Sequence, residues 1–231
     1  MPWINLRTLS WATGILLASL NCAQALPVST SAAGEALMTV LLAGAQTSVS
    51  TATATSAPTP SCSSSAFCYT YRTTALSNAN LGGISGADAT CNSNANKPGA
   101  ATGTFKALLA DDPTNARRAS VTANAGDGQI DWVLYANKQY RRSDGVTVIA
   151  TSNANRLFTF PLTVGFIAGA GGHWTGFGAG WTSDATNCAG WTNGVAGTGR
   201  DGTDNGTGTG AISNILNNCN TTGPGLICIE Q

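Results

Sequence analysis

His173 is the one histidine of the 231-residue chain, and imidazole titrates near neutral pH, so it is the first side chain to test as a general base. It opens the stretch HWTGFGAGWTSDATNCAGWT (173–192), which also holds Trp174, Trp181, Cys188 and Trp191. Hydrolysis would need a nucleophile beside it. No G-x-S-x-G elbow exists, and GISGA (83–87) departs from that pattern at its last position. Zinc would need three or four ligands, and one histidine does not supply them. Calcium would take oxygen ligands, and GRDGTDNGTGTG (199–210) offers Asp201, Asp204 and Asn205. Their spacing matches neither an EF-hand loop nor a glycine-rich calcium repeat, which points to a solvated turn. No catalytic residue, metal or cofactor is therefore expected, and His173 is read as a surface or packing residue.

A second kind of chemistry is electrostatic. Arg117 and Arg118 form one basic group, and Lys138, Arg141 and Arg142 another; together they are five of the ten cations left when Arg7 is set aside. Guanidinium groups that converge would hold sulfate or carboxylate by paired hydrogen bonds. The sequence leaves open whether these two groups meet. Aromatic faces offer a third route, since tryptophan can stack on sugar rings.

The elements that must position these residues are short. The net charge is zero with 10% charged residues, so the basic field that nucleic-acid binding relies on is missing. Surface polarity falls to Asn, Thr, Ser and Gly, a composition of turns and short strands. FCYTYRTT (67–74) alternates as a strand, and SGADATCNSNAN predicts a short helix capped by Ser85 with Asp88 three residues on. GTFKALLA (103–110) reads as a strand. DWVLYANKQYRRSDGVTVIATS reads as strands joined through the Ser143-Asp144-Gly145 turn. Glycines crowd residues 165–210 and rule out long helices there, and GLICIEQ closes with an apolar strand carrying Cys228.

The first 25 residues read as an export signal, with Arg7 ahead of the apolar run LSWATGILLASL. LASLNC resembles a lipobox ending at Cys22, and Ala23-Gln24-Ala25 offers a competing cleavage site. The expected product is an outer-membrane or cell-surface lipoprotein acylated at Cys22, or alternatively a secreted protein, with any membrane contact made through the lipid alone. Residues 26–61 are expected to be a Thr/Ser/Ala/Pro-rich tether and 62–231 the folded domain. Setting Cys22 aside leaves six cysteines, an even number suited to disulfides, with fifteen possible pairings.

In order along the chain, GTFKALLAD, Arg117-Arg118-Ala119, HWTG, the pair Cys188 and Trp191, and the closing LICIEQ resemble the endostatin domain of collagens, a variant of the C-type lectin-like fold. With LGGISGADATC before them they are similar to the leptospiral endostatin-like proteins, exported lipoproteins of the spirochaete surface. The resemblance covers about residues 66–231. It implies an α+β fold with short strands, one or two short helices, long loops and nested bridges Cys91–Cys228 and Cys188–Cys219, leaving Cys62–Cys68 to close a small loop. It places Trp174 and Trp191 in strands over the inner bridge. Trp181 has no counterpart and is the expected exposed contact. The zinc of endostatin is not carried over, because the histidines that hold it are missing. The function implied is a non-enzymatic adhesin for host extracellular-matrix proteins such as laminin and fibronectin, or for the complement regulator factor H. The alternative is a calcium-independent binder of glycans, sulfated ones included, through Arg117, Arg118, Lys138, Arg141, Arg142 and Trp181. A weaker alternative is an enzyme, which would need His173 or an acidic pair in a cleft.

Overall fold

The computed structural model describes residues 61–112 and 116–231, all within the compact unit Thr55–Gln231. The expected export signal, Cys22 and the expected tether up to residue 60 lie outside the described residues. The fold is α+β, mostly strand. Its elements are β1 (Phe67–Arg72), α1 (Gly83–Ser93), β2 (Phe105–Ala107), β3 (Gln139–Arg141), β4 (Val148–Thr151), β5 (Gly172–Trp174), α2 (Cys188–Trp191), β6 (Thr198–Thr203), β7 (Leu216–Asn218) and β8 (Ile227–Glu230). Five strands form one sheet in the order β2-β8-β1-β3-β4, and β5-β6-β7 form a second. No helix among the described residues is long and apolar enough to cross a membrane.

Alternation along the strands divides the interior in two. On β8, Ile227 and Ile229 face one hydrophobic cluster with Leu108, Tyr140, Phe158, Phe166 and Trp181. Cys228 faces the other, with Tyr71, Cys91, Phe105, Trp174 and Trp191. Helix α1 buries Ile84, Ala87 and Cys91, spaced three and four apart as one helical face requires, against this second cluster. The helix begins earlier than its sequence signal. Its N-cap is Gly82, at φ 76°, and Asp88 reaches away from the helix start: one carboxylate oxygen accepts from the Ala107 amide at 2.9 Å and from Arg117.

Three disulfides close the domain: Cys62–Cys68, Cys91–Cys228 and Cys188–Cys219. The outer one ties α1 to β8 across 137 residues, and the inner one spans 31. Trp191 is buried beside the inner bridge but does not lie in a strand. It ends the single turn α2, in which Cys188, Ala189, Gly190 and Trp191 all have φ between 53° and 66°. A left-handed turn costs L-residues about 1–2 kcal/mol each. The Asn187 side chain offsets part of this by accepting from the Gly190 amide at 2.9 Å, and the Trp191 indole donates to the Ala110 carbonyl at 2.7 Å.

Trp181 is corrected outright: it is 0% exposed. Its ring stacks on Phe160 at 5.8 Å and meets Phe177 edge-on at 5.3 Å, while Nε1 donates to the Phe158 carbonyl at 3.1 Å. Trp181→Phe should keep most of this packing but orphan that carbonyl and leave a small void. A loss of roughly 1–2 kcal/mol in urea unfolding is the expected result, and an unchanged midpoint would contradict the burial.

Candidate ligand groove where β1 and β3 diverge

The two basic groups expected from the sequence do not converge. Arg117 lies at the β2 edge of the sheet, whereas Lys138, Arg141 and Arg142 belong to β3 and its flanks, with β8 and β1 in between. At about 4.8 Å per strand this separates the groups by roughly 14 Å or more. Arg117 is also unavailable, because its side chain is 0% exposed. All its N–H groups are used: Nη1 and Nη2 form a fork on Asp88 at 2.8 and 2.7 Å, Nη1 also meets the Ala107 carbonyl, Nε the Asp131 carbonyl, and Nη2 the Asp131 carboxylate. Burial works to lower the Arg117 pKa, and the hydrogen bonds and charges of Asp88 and Asp131 more than offset it. The reason is positional. Arg117 sits where α1, β2 and the 131 loop meet, and it is the group that joins them. Arg118 is half-buried, with Nε donating to the Gly128 carbonyl at 2.8 Å.

The β3 group has a different character. Lys138 Nζ donates to the Ser63 and Ser65 carbonyls, which fixes the loop closed by Cys62–Cys68. Arg141 lies over the Phe67 ring at 4.2 Å and donates to Gln139 and the Gly145 carbonyl. Arg142 clasps the Gly165 carbonyl with Nε at 3.0 Å and Nη2 at 2.6 Å. None of these three cations forms a salt bridge among the described residues, although Arg142 lies near enough to Asp144 to help hold its carboxyl down, whereas Arg72, Lys106, Arg117 and Arg200 each form one or more.

A groove of about 450 Å3 opens beside them. Strands β1 and β3 run parallel and are paired from Phe67↔Gln139 to Tyr69↔Arg141. There the β3–β4 register shifts and β3 leaves through the turn 142–145, while β1 continues to Arg72 against β8. The turn is held by Asp144, whose carboxylate accepts from the Val146 and Thr147 amides and the Thr147 hydroxyl. Gly145, at φ 69°, is required twice over: a Cβ there would come within 3.0 Å of the Tyr69 hydroxyl. Thr70–Thr73 form one wall of the groove, Arg142–Asp144 the second and Phe166–Ala168 the third, with Asn96 at the rim.

Arg72 connects the groove to the interior. It donates to the Gly172, Gly223 and Thr73 carbonyls, and its Nε lies 2.8 Å from the Asp204 carboxylate. The other Asp204 oxygen is 2.8 Å from His173 Nδ1, which fixes that nitrogen as the protonated one when Asp204 is ionised. His173 is therefore not a surface residue. It is fully buried, edge-on to Phe166 and so close to Gly202 that a Cβ there would sit 2.8 Å from Nε2. A general base must reach a substrate proton, and this imidazole is sealed from solvent.

The loop 199–210 is corrected as well. Its acids are not solvated: Asp201 is buried and accepts from the Ile215 amide and the Asn217 side chain, and Asp204 is taken by Arg72 and His173. Burial pushes the Asp201 carboxyl up. Among the described residues no three His, Cys, Asp or Glu side chains come together as metal ligands.

Elsewhere carboxyls are pulled down. The backbone and side-chain bonds from Thr122 lower Asp127 to about 2. The Thr147 hydroxyl and amide lower Asp144. Burial raises Asp131 and Asp184, but bonds from Lys106 and Arg117, and from Thr186 and Arg200, outweigh it. A carboxyl whose folded pKa is depressed stabilises the fold above its unfolded pKa of about 3.9 and stops doing so as pH falls through the folded value. The melting temperature should accordingly fall as pH drops from about 4 to about 2. A flat profile across that window would show that these bonds do not form.

Sequence reasoning missed Arg72, Asn96, Ser143 and the wall 166–168. Only Arg72 carried a signal, as a lone cation ending an otherwise aromatic and polar strand. Residues 74–207, more than half of the chain, match the model of a family described as a protein of unknown function (DUF1554). No curated protein matches the chain.

Proposed function

The chain belongs to the DUF1554 family of proteins of unknown function, and on that premise we propose that residues 62–231 are an endostatin-like variant of the C-type lectin-like fold, working as a non-enzymatic binding module. The module is exported and held at the cell surface by a lipid on Cys22. It contacts host extracellular-matrix proteins such as laminin and fibronectin, or the complement regulator factor H. The observation that carries this reading is the closure of the domain. Strand β8 pairs with β1, and the Cys91–Cys228 bridge pins α1 to the same strand, so long glycine-rich loops are displayed from a braced frame. Such a frame limits the ordering cost of forming a protein interface. The sealed position of His173 favours binding over the enzyme alternative.

Immobilised laminin, fibronectin and factor H titrated with the oxidised full chain test the reading. Saturable binding to at least one is the expected result, and none to any of the three sinks it. Lipid labelling lost on Cys22→Ala would separately establish the anchor.

A further inference from the structure

We propose that the groove where β1 and β3 diverge is a binding site for an acidic monosaccharide, a sugar ring bearing one carboxylate. Where neighbouring parallel strands part at their carboxyl ends, a crevice is left whose walls are fixed by the sheet, and open α/β sheets bind ligands in such places. Here β1 has no strand partner on its β3 side beyond Tyr69, although β8 holds its other side as far as Arg72. The volume of about 450 Å3 lies within the range of small-molecule sites.

The open edge of Arg142 is what would hold an anion. Arg142 is oriented by its two bonds to the Gly165 carbonyl, and both N–H groups of Nη1 and the second of Nη2 have no hydrogen-bond partner among the described residues. That edge of the guanidinium matches a carboxylate, which it can hold by two parallel bonds. Arg72 is neutralised by Asp204 from behind, and the Asp144 carboxylate borders the same space. Asp144 also feels the charge of Arg142, so the lining carries no net charge; a single negative charge set on the open edge of Arg142 is tolerated there better than a dianion such as sulfate.

The remaining walls suit a sugar. The Ser143 hydroxyl makes no hydrogen bond among the described residues, and Asn96 spends its amide on the Arg72 carbonyl, leaving its own oxygen as an acceptor. Sugar hydroxyls both donate and accept and so satisfy either group. Half-buried Ile167 and exposed Ala168 give the ring's C–H face an apolar wall.

The probe is glucuronate titrated into the full chain by calorimetry, against glucose, acetate and inorganic sulfate. Saturable glucuronate binding is expected, with the other three weaker by at least about tenfold because each lacks one of the matched features. Arg142→Lys should weaken glucuronate by at least about tenfold through loss of the planar fork. Ser143→Trp, at an exposed turn position, should block the groove while leaving the melting temperature unchanged, and it decides the matter if Arg142→Lys disturbs the Gly165 loop. No saturation with glucuronate overturns the proposal. So does sulfate or acetate binding as tightly, which would mark a plain oxyanion site, or glucuronate affinity surviving Ser143→Trp. Free monosaccharides are the only ligands involved, so this site and the matrix-protein reading stand or fall separately.

Discussion

Replacing Cys91 and Cys228 together by alanine is expected to lower the free energy of unfolding by about 5 kcal/mol, more than loss of either other bridge. The bridge closes a loop of 137 residues, and in the chain-entropy model the destabilisation grows with the logarithm of that length. Cys188–Cys219, spanning 31 residues, should be worth roughly 4 kcal/mol by the same relation. Both cysteines of the outer bridge are fully buried among Tyr71, Phe105 and Trp174, so the variant also loses packing there. Against a total stability of about 5–15 kcal/mol, this brings the domain close to unfolded. Urea unfolding followed by tryptophan fluorescence, with the other bridges kept oxidised, measures it. A loss no larger than that of a Cys62→Ala/Cys68→Ala variant, whose loop spans six residues, would refute the account.

Arg117→Ala should cost about 3–5 kcal/mol, the range for breaking a buried ion pair by removing one partner. The guanidinium is wholly enclosed, whereas the side chains of Asp88 and Asp131 are 21% and 37% exposed. Truncation would leave the Ala107 and Asp131 carbonyls without their donor and bring two carboxylates together with no cation between them. Water reaching those acids moderates the repulsion and places the loss toward the lower end of the range. Arg117→Met combined with Asp88→Asn and Asp131→Asn should recover part of it, because the uncompensated charges go with the cation. If Arg117→Ala unfolds within about 1 kcal/mol of the parent, the residue is not the junction described above.

These two residue sets also show what a sequence can reveal. The strand at 67–72 and the closing strand around Cys228 were legible because alternation and apolar runs are local properties. The pairing of the six cysteines is not local, and only the order of motifs singled out one arrangement from fifteen. Arg117 reads as a candidate ligand-binding cation because its partners lie 29 and 14 residues away. Trp181 reads as exposed because its glycine neighbours offer nothing to cover it. In the fold those glycines permit close approach instead: a Cβ on Gly180 would meet Ala123 at 2.7 Å, so another loop packs against the glycine beside the tryptophan, whose own ring is covered by Phe158, Phe160 and Phe177. DWVLY was expected to be a strand, yet 131–135 is an irregular segment with Trp132, Val133 and Leu134 buried, since apolarity marks burial but not a pairing partner. The groove joins strands whose paired residues are 72 apart in sequence, and no local pattern announces it.

The place of β8 in the sheet bears on when the domain can form. It lies between β1 and β2, and it is the last strand along the chain. Until residues 227–230 have been synthesised, β1 and β2 share no neighbour, Cys91 has no partner, and both hydrophobic clusters lack a wall. Contacts this distant in sequence form late and slowly. The growing chain therefore stays open through most of its synthesis, and a ribosome that stops a few codons short of Glu230 releases an unclosed polypeptide rather than a slightly smaller domain.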